Sequence, residues 1–101
     1  MTMNNMKEEL KQVRYYYAKK DHFDKIENEI DITPVKKVVQ KYNQAMVGAE
    51  PKLIDVYHAL YIEGMSQLDL AIEWSFTPEY IRMMSRQLNK YLLDKLNKEG
   101  A

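Results

Sequence analysis

Residues 61–96 read YIEGMSQLDLAIEWSFTPEYIRMMSRQLNKYLLDKL, and the punctuation inside that stretch decides how the chain folds. Gly64 stops a preceding helix, because glycine takes the backbone conformations that end helices at little steric cost. Ser66 is placed to cap a short helix running roughly to Trp74. Ser75-Phe76 forms a turn, Thr77 caps again, and Pro78 fills the first helical position, where its missing N–H costs nothing. A long helix follows from Glu79. Leu68, Ala71, Ile72, Trp74, Phe76, Ile81, Met84, Leu88 and Leu92 are expected to form the shared interior. Ala71 is small enough to let the two helices approach closely. Two helices joined by so short a turn have the spacing of a helix-turn-helix. In DNA-binding motifs of that kind the last helix enters the major groove and the one before it crosses the backbone.

Working back from this stretch, a helix is expected from about Pro51 to Ile62, with Leu53, Ile54, Tyr57, Leu60 and Tyr61 on its inner side. Val47-Gly48-Ala49-Glu50-Pro51 is the best linker in the chain. Before it, Thr33-Pro34 signals another start, a cap followed by proline. Val35, Val38, Val39, Tyr42 and Met46 line one face of that helix. Its valines lower its intrinsic propensity, so packing must hold it. From about Met3 to about Glu29 there is no Gly or Pro. Met3, Met6, Leu10, Val13 and Tyr17 alternate by threes and fours, as in a coiled-coil seam. Lys20 falls next on the seam, and the stripe resumes with Phe23, Ile26 and Ile30. One long helix follows from this pattern, bent or frayed near Lys19-Lys20-Asp21, and paired with its neighbour as an antiparallel hairpin.

The chain has 101 residues, enough for one small domain and too few for two independent cores. With three Gly and three Pro, it lacks the turns a β-sandwich needs. Fifteen Lys and Arg balance fifteen Asp and Glu, so the molecule as a whole has no basic footprint of a nucleic-acid binder. The charge is unevenly placed, however. From Pro51 to Phe76, Lys52 stands against Asp55, Glu63, Asp69 and Glu73. From Thr77 onward, Arg82, Arg86, Lys90, Lys95 and Lys98 stand against Glu79, Asp94 and Glu99. There is no cysteine, which removes disulfides, thiolate nucleophiles and the usual zinc-finger ligands. No apolar run approaches membrane-spanning length, and the N-terminus lacks the apolar core of a signal peptide. A soluble cytoplasmic protein with no membrane partner is the expectation.

Residues 61–96 resemble the C-terminal promoter-binding helix-turn-helix of bacterial sigma factors and its relatives among phage regulators. The resemblance rests on Tyr61, Glu63-Gly64, Ser66, Ala71, Trp74-Ser75-Phe76, Thr77 and Ile81, without insertion or deletion, and on the tail with Leu92, Leu93 and Leu96. The front end, MKEELKQVRYY followed by a helical hairpin, is similar to the small RinA- or ArpU-like transcriptional regulators of Gram-positive phages. Two positions depart from the pattern. Ser75 stands where glycine is usual, so a left-handed backbone there would be strained. The exposed face also carries Glu79, Tyr80 and Met83, where a strong binder is richer in Arg, Lys, Asn or Gln. The resemblance implies a small transcriptional regulator, of phage or mobile-element origin, acting at a promoter and touching RNA polymerase or another host protein.

On the last helix, Thr77, Tyr80, Arg82, Met83, Arg86, Gln87 and Lys90 lie on or beside the expected exposed face. A helix in the major groove uses early residues for base edges and later ones for phosphates. Arg82 and Arg86 are the best candidates for DNA contact, with Gln87 and Lys90 nearer the backbone. Thr77 could meet a phosphate at the helix start. The same residues would equally suit an ordinary solvated face. Glu79 could accept from a cytosine amine, although an acid at a helix start more often just favours the dipole. Tyr15-Tyr16-Tyr17 cannot all face one core, and tyrosine suits protein interfaces, so this triplet is expected at a partner or oligomer surface.

His22 and His58 lack any metal-ligand spacing, and no catalytic set or cofactor fingerprint is present. No enzyme activity, metal or cofactor is expected. The reading is therefore an all-α protein with a helical hairpin over residues 1–47 and a three-helix, sigma-like helix-turn-helix unit over residues 51–101. Its expected partners are double-stranded DNA and a second copy, because one unit contacts too few phosphates for tight specific binding. The alternative is a helix-turn-helix protein that binds and modulates a host protein without binding DNA. An acidic face around Asp69 and Glu73 would then meet a basic partner.

Overall fold

In the computed structural model, which describes residues 1–99, every regular element is helical. The order is α1 (Met3–Ala18), α2 (Lys20–Ile26), α3 (Thr33–Ala45), α4 (Pro51–Tyr57), a π turn (His58–Ile62) continuing α4, α5 (Gln67–Trp74) and α6 (Pro78–Glu99). No described helix is long and apolar enough to cross a membrane.

Thr2 caps α1, its hydroxyl accepting from the Asn5 N–H at 3.1 Å. Met6, Leu10 and Val13 follow at helical spacing and are fully buried. The long helix expected to Glu29, bent or frayed near Lys19-Lys20-Asp21, is divided within that stretch, at Lys19, whose φ of −116° and ψ of 27° leave the helical region. The seam explains the break. A straight helix would carry Lys20 inward, where an unpaired ammonium is costly. Turning the chain at Lys19 brings Phe23 beside Tyr16, with ring centroids 5.3 Å apart. Lys20 stays exposed and pairs with Asp24 at 3.3 Å. The stripe then runs out, with Ile26 half-buried and Ile30 exposed.

At the start of α3, Thr33 is the first helical residue and not the cap; Ile32 stands at the N-cap without a side-chain cap, and the Asp31 carboxylate before it accepts from the Thr33 N–H at 2.9 Å. The inner face is Val39, Tyr42 and Ala45, with Val35 and Val38 half-buried and Met46 just beyond. Against it lies α1. Between the two helices, Lys41 reaches Glu9 at 2.7 Å and the Tyr42 hydroxyl donates to the same carboxylate at 2.6 Å.

α4 buries Leu53, Val56 and Tyr57, an i, i+3, i+4 set that leaves Ile54 exposed where it was expected inside. Its last turn widens. The Glu63 N–H donates to the His58 carbonyl at 2.8 Å, five residues back, and Met65 N–H donates to Ala59 at 2.9 Å. This wider turn shifts the register, so that Ala59 and Leu60 are both buried and Tyr61 is only partly so. Gly64, at φ 76°, ends the segment. Its carbonyl accepts from the Arg14 guanidinium at 2.7 Å.

The buried residues form one cluster from Met6 to Leu92. α1 packs on the π turn and on α6 as well as on α3, while α6 also meets α3, α4 and α5. Tyrosine hydroxyls tie these layers together: Tyr57 donates to Asn43 at 2.8 Å, Asn43 donates to Tyr17 at 2.8 Å, and Tyr91 donates to the Ala45 carbonyl at 2.8 Å. Each such bond contributes about 1 kcal/mol net, and each fully buried aliphatic side chain about 1.5–3 kcal/mol. The apolar cluster therefore carries most of the stability.

Candidate nucleic-acid interface

The candidate segment begins at Ser66, whose hydroxyl accepts from the Asp69 N–H at 3.0 Å and caps α5. At the other end of α5 the Phe76 N–H donates to Ala71 at 2.9 Å and the Ser75 N–H to Ile72 at 3.2 Å. This nested pair of bonds closes a helix through a left-handed residue, here Ser75 at φ 59°, ψ 37°. The strained backbone that serine makes costly is therefore present. Thr77 follows and accepts from the Tyr80 N–H at 3.2 Å, and Pro78 opens α6.

α6 buries Ile81, Met84, Ser85, Leu88 and Leu92, a stripe repeating every three or four residues. Its inner side is tied to α5 by Gln67, whose amide donates to the Ser85 hydroxyl at 3.2 Å. One turn beyond Ser85, the Asn89 side-chain oxygen is buried without a hydrogen-bond partner. Periodicity turns the opposite side outward, and Arg82, Met83, Arg86, Gln87 and Lys90 are all exposed there. Thr77 is exposed at the helix start. Tyr80 sits at the edge, half-buried, its ring 4.5 Å from that of Phe76. The Arg82 guanidinium lies 3.2 Å from Glu79, an exposed i, i+3 pair. Such pairs are worth little, so the arginine is held loosely and can be recruited by a stronger anion.

Two parts of the expected interior lie elsewhere. Leu68 and Ile72 face outward, 58% and 71% exposed, and Phe76 is 48% exposed. Leu70, which the expected interior omitted, is fully buried beside Ala71. Five apolar residues in an eight-residue helix allow two phases to be drawn through it, and the neighbouring pair Leu70-Ala71 with Trp74 is the one that packs. Behind the turn, Val56, Trp74, Phe76, Tyr80 and Met84, together with Lys52 and Asp55, line a mostly apolar cleft of about 210 Å³. The sequence carried a signal for it in the aromatic residues clustered around Ser75.

The tyrosine triplet divides. Tyr16 is buried within the chain, and Tyr17 is half-buried with its hydroxyl taken by Asn43. Tyr15 alone of the three is exposed, edge-on to Phe23. A helix turns 100° per residue, so three consecutive side chains had to separate in this way. His58 lies 3.3 Å from Glu63, and among the described residues no three His, Asp or Glu side chains gather to hold a metal. No protein-family model, curated protein or solved structure matches the chain.

Proposed function

We propose that the protein is a sequence-specific DNA-binding regulator of transcription, with α6 as the helix that enters the major groove. The arrangement would be a helical hairpin, residues 1–47, joined to a three-helix, sigma-like unit, residues 51–101. The observation that carries the reading is the geometry between Ser66 and Lys90. Two capped helices meet at a left-handed residue, and the second turns Arg82, Arg86, Gln87 and Lys90 outward together. Arg82 and Arg86 lie early enough on α6 to reach base edges, while Lys90 is one turn further on, suited to phosphate. A homodimer would supply the second half-site that one such unit needs, and exposed Tyr15 offers an aromatic contact for it. The resemblance noted above favours a phage or mobile-element setting and a promoter where RNA polymerase is near.

Titration of the full chain against upstream DNA fragments, at low and at moderate salt, tests this. Counterion release makes affinity fall steeply with salt, and Arg82→Ala/Arg86→Ala should weaken binding and reduce the salt slope by about 1–2. Absence of binding even at low salt would sink the proposal. For the dimer, sedimentation at micromolar concentration is sufficient, and a clean monomer would refute it.

A second reading has an observation of its own. The outer side of α5 carries Asp69 and Glu73 and no cation. A helix-turn-helix protein that modulates a host protein without touching DNA would have no need of a basic surface there.

A further inference from the structure

α5 is unusual in where its apolar side chains go. Only Leu70 and Ala71 are buried, and Leu68 and Ile72, one turn apart, face solvent. Asp69 and Glu73 are exposed beside them, and neither carboxylate is held by a Lys or Arg among the described residues. Glu73 also lines an open cleft of about 340 Å³ together with Asp55, His58 and Glu63. The outward side of α5 is thus a short apolar strip bordered by an acidic cleft.

We propose that this face docks a basic amphipathic helix of a partner protein. Leu68 and Ile72 would take the partner's apolar side chains, and Asp55, Asp69 and Glu73 its Lys or Arg side chains. Charge complementarity selects that occupant. A DNA backbone or an anionic membrane is repelled by these carboxylates and gains nothing from exposed leucine and isoleucine. A second copy presenting the same face is repelled for the same reason. A neutral apolar peptide would cover Leu68 and Ile72 but leave the neighbouring acids poorly solvated and unpaired, which is costly. Within the cleft, His58 is already 3.3 Å from Glu63, which leaves Asp55 and Glu73 for incoming cations. The strip spans about one helical turn, roughly 5.4 Å. An area so small fits a transient contact. None of the side chains assigned to DNA takes part, so the two surfaces can be tested separately.

The experiment uses the full chain and a labelled synthetic peptide of about 14 residues, long enough for marginal helicity. The peptide carries Leu at i, i+3, i+4 and i+7 spacing and Lys elsewhere; its counterpart carries Glu in place of Lys. Fluorescence anisotropy should show saturable, one-to-one binding of the lysine peptide that weakens with salt, and none of the glutamate peptide. Leu68→Ser/Ile72→Ser and Asp69→Lys/Glu73→Lys should each weaken it about tenfold or more. Glu29→Lys/Asp94→Lys makes the same change in net charge at exposed sites elsewhere and should stay within about twofold of wild type. Circular dichroism and thermal midpoints of the variants should stay close to wild type, since every substituted residue is exposed, with a small loss for Asp69→Lys, which removes an acid from the first turn of α5. The proposal is overturned if neither peptide binds, if both bind alike, or if the control pair weakens binding as much as the α5 pair. It is also overturned if Leu68→Ser/Ile72→Ser converts a dimer to a monomer in sedimentation, or abolishes binding of a DNA duplex. Those outcomes would assign the face to a second copy or to DNA.

Discussion

Ser75 holds a left-handed backbone at φ 59°, a conformation otherwise found among the described residues only at Gly48 and Gly64. For a residue with a Cβ this costs roughly 1–2 kcal/mol. Ser75→Gly should therefore stabilise the protein by about 1 kcal/mol, raising the thermal midpoint by about 4–8 °C for a chain of this size. A midpoint at or below wild type would show that the serine hydroxyl repays the strain. The caps at Ser66 and Thr77 were legible in the sequence because each acts on an amide three residues away. The Asp31 bond to the Thr33 amide was not, since Thr33-Pro34 has the form of a cap of its own just downstream. At Arg82 the side chain rests on Glu79, so a phosphate or base edge would have to outcompete an exposed carboxylate, which is a small barrier.

For the elements, α5 is the instructive case. Cap and stop signals fix its ends, but its rotation depends on what it packs against, and residues 68, 70, 71, 72 and 74 are all apolar. Substitution separates the two phases. Leu70→Ala should cost about 2–5 kcal/mol in urea unfolding, as for other fully buried leucines. Ile72→Ala should stay within about 0.5 kcal/mol of wild type. Equal costs would mean that Ile72 is covered in solution. α4 and α1 departed from simple periodicity for different reasons. The π turn inserts a register shift that no local residue announces, whereas the break at Lys19 falls where Lys20 interrupts the seam and reflects the cost of burying a lysine. On α6 the buried and exposed faces separate cleanly, because long helices give several turns over which one phase must hold. The exposed face of α6 was thus legible, whereas the buried face of α5 was misread.

At the scale of the molecule, the polar contact between α1 and α3 gives a pH dependence. Burial alone would raise the Glu9 carboxyl, but the hydrogen bonds from Lys41 and Tyr42 and the Lys41 charge outweigh it and hold Glu9 below its ordinary value of 4.5. The unfolded chain then takes up this proton before the folded one does. The contribution is fully present above the ordinary carboxylate range and is lost as pH falls through the depressed value. Glu9→Gln should therefore shrink the difference in urea midpoint between about pH 7 and about pH 3. An unchanged difference would mean that other carboxylates account for all of the acid sensitivity.

The Arg14 bond to the Gly64 carbonyl joins the opening helix to the residue that ends the π turn, two positions before the α5 cap. Without that bond and the packing of α1 on the π turn, the join could swivel, letting a paired protein accept target sites of varied spacing. With the guanidinium bonded across and α1 packed on the π turn, α1 and the segment leading into α5 are held together. In a dimer joined through α1, the distance between the two reading helices would be set like the jaws of a fixed gauge. Such a protein would measure its site as well as read it.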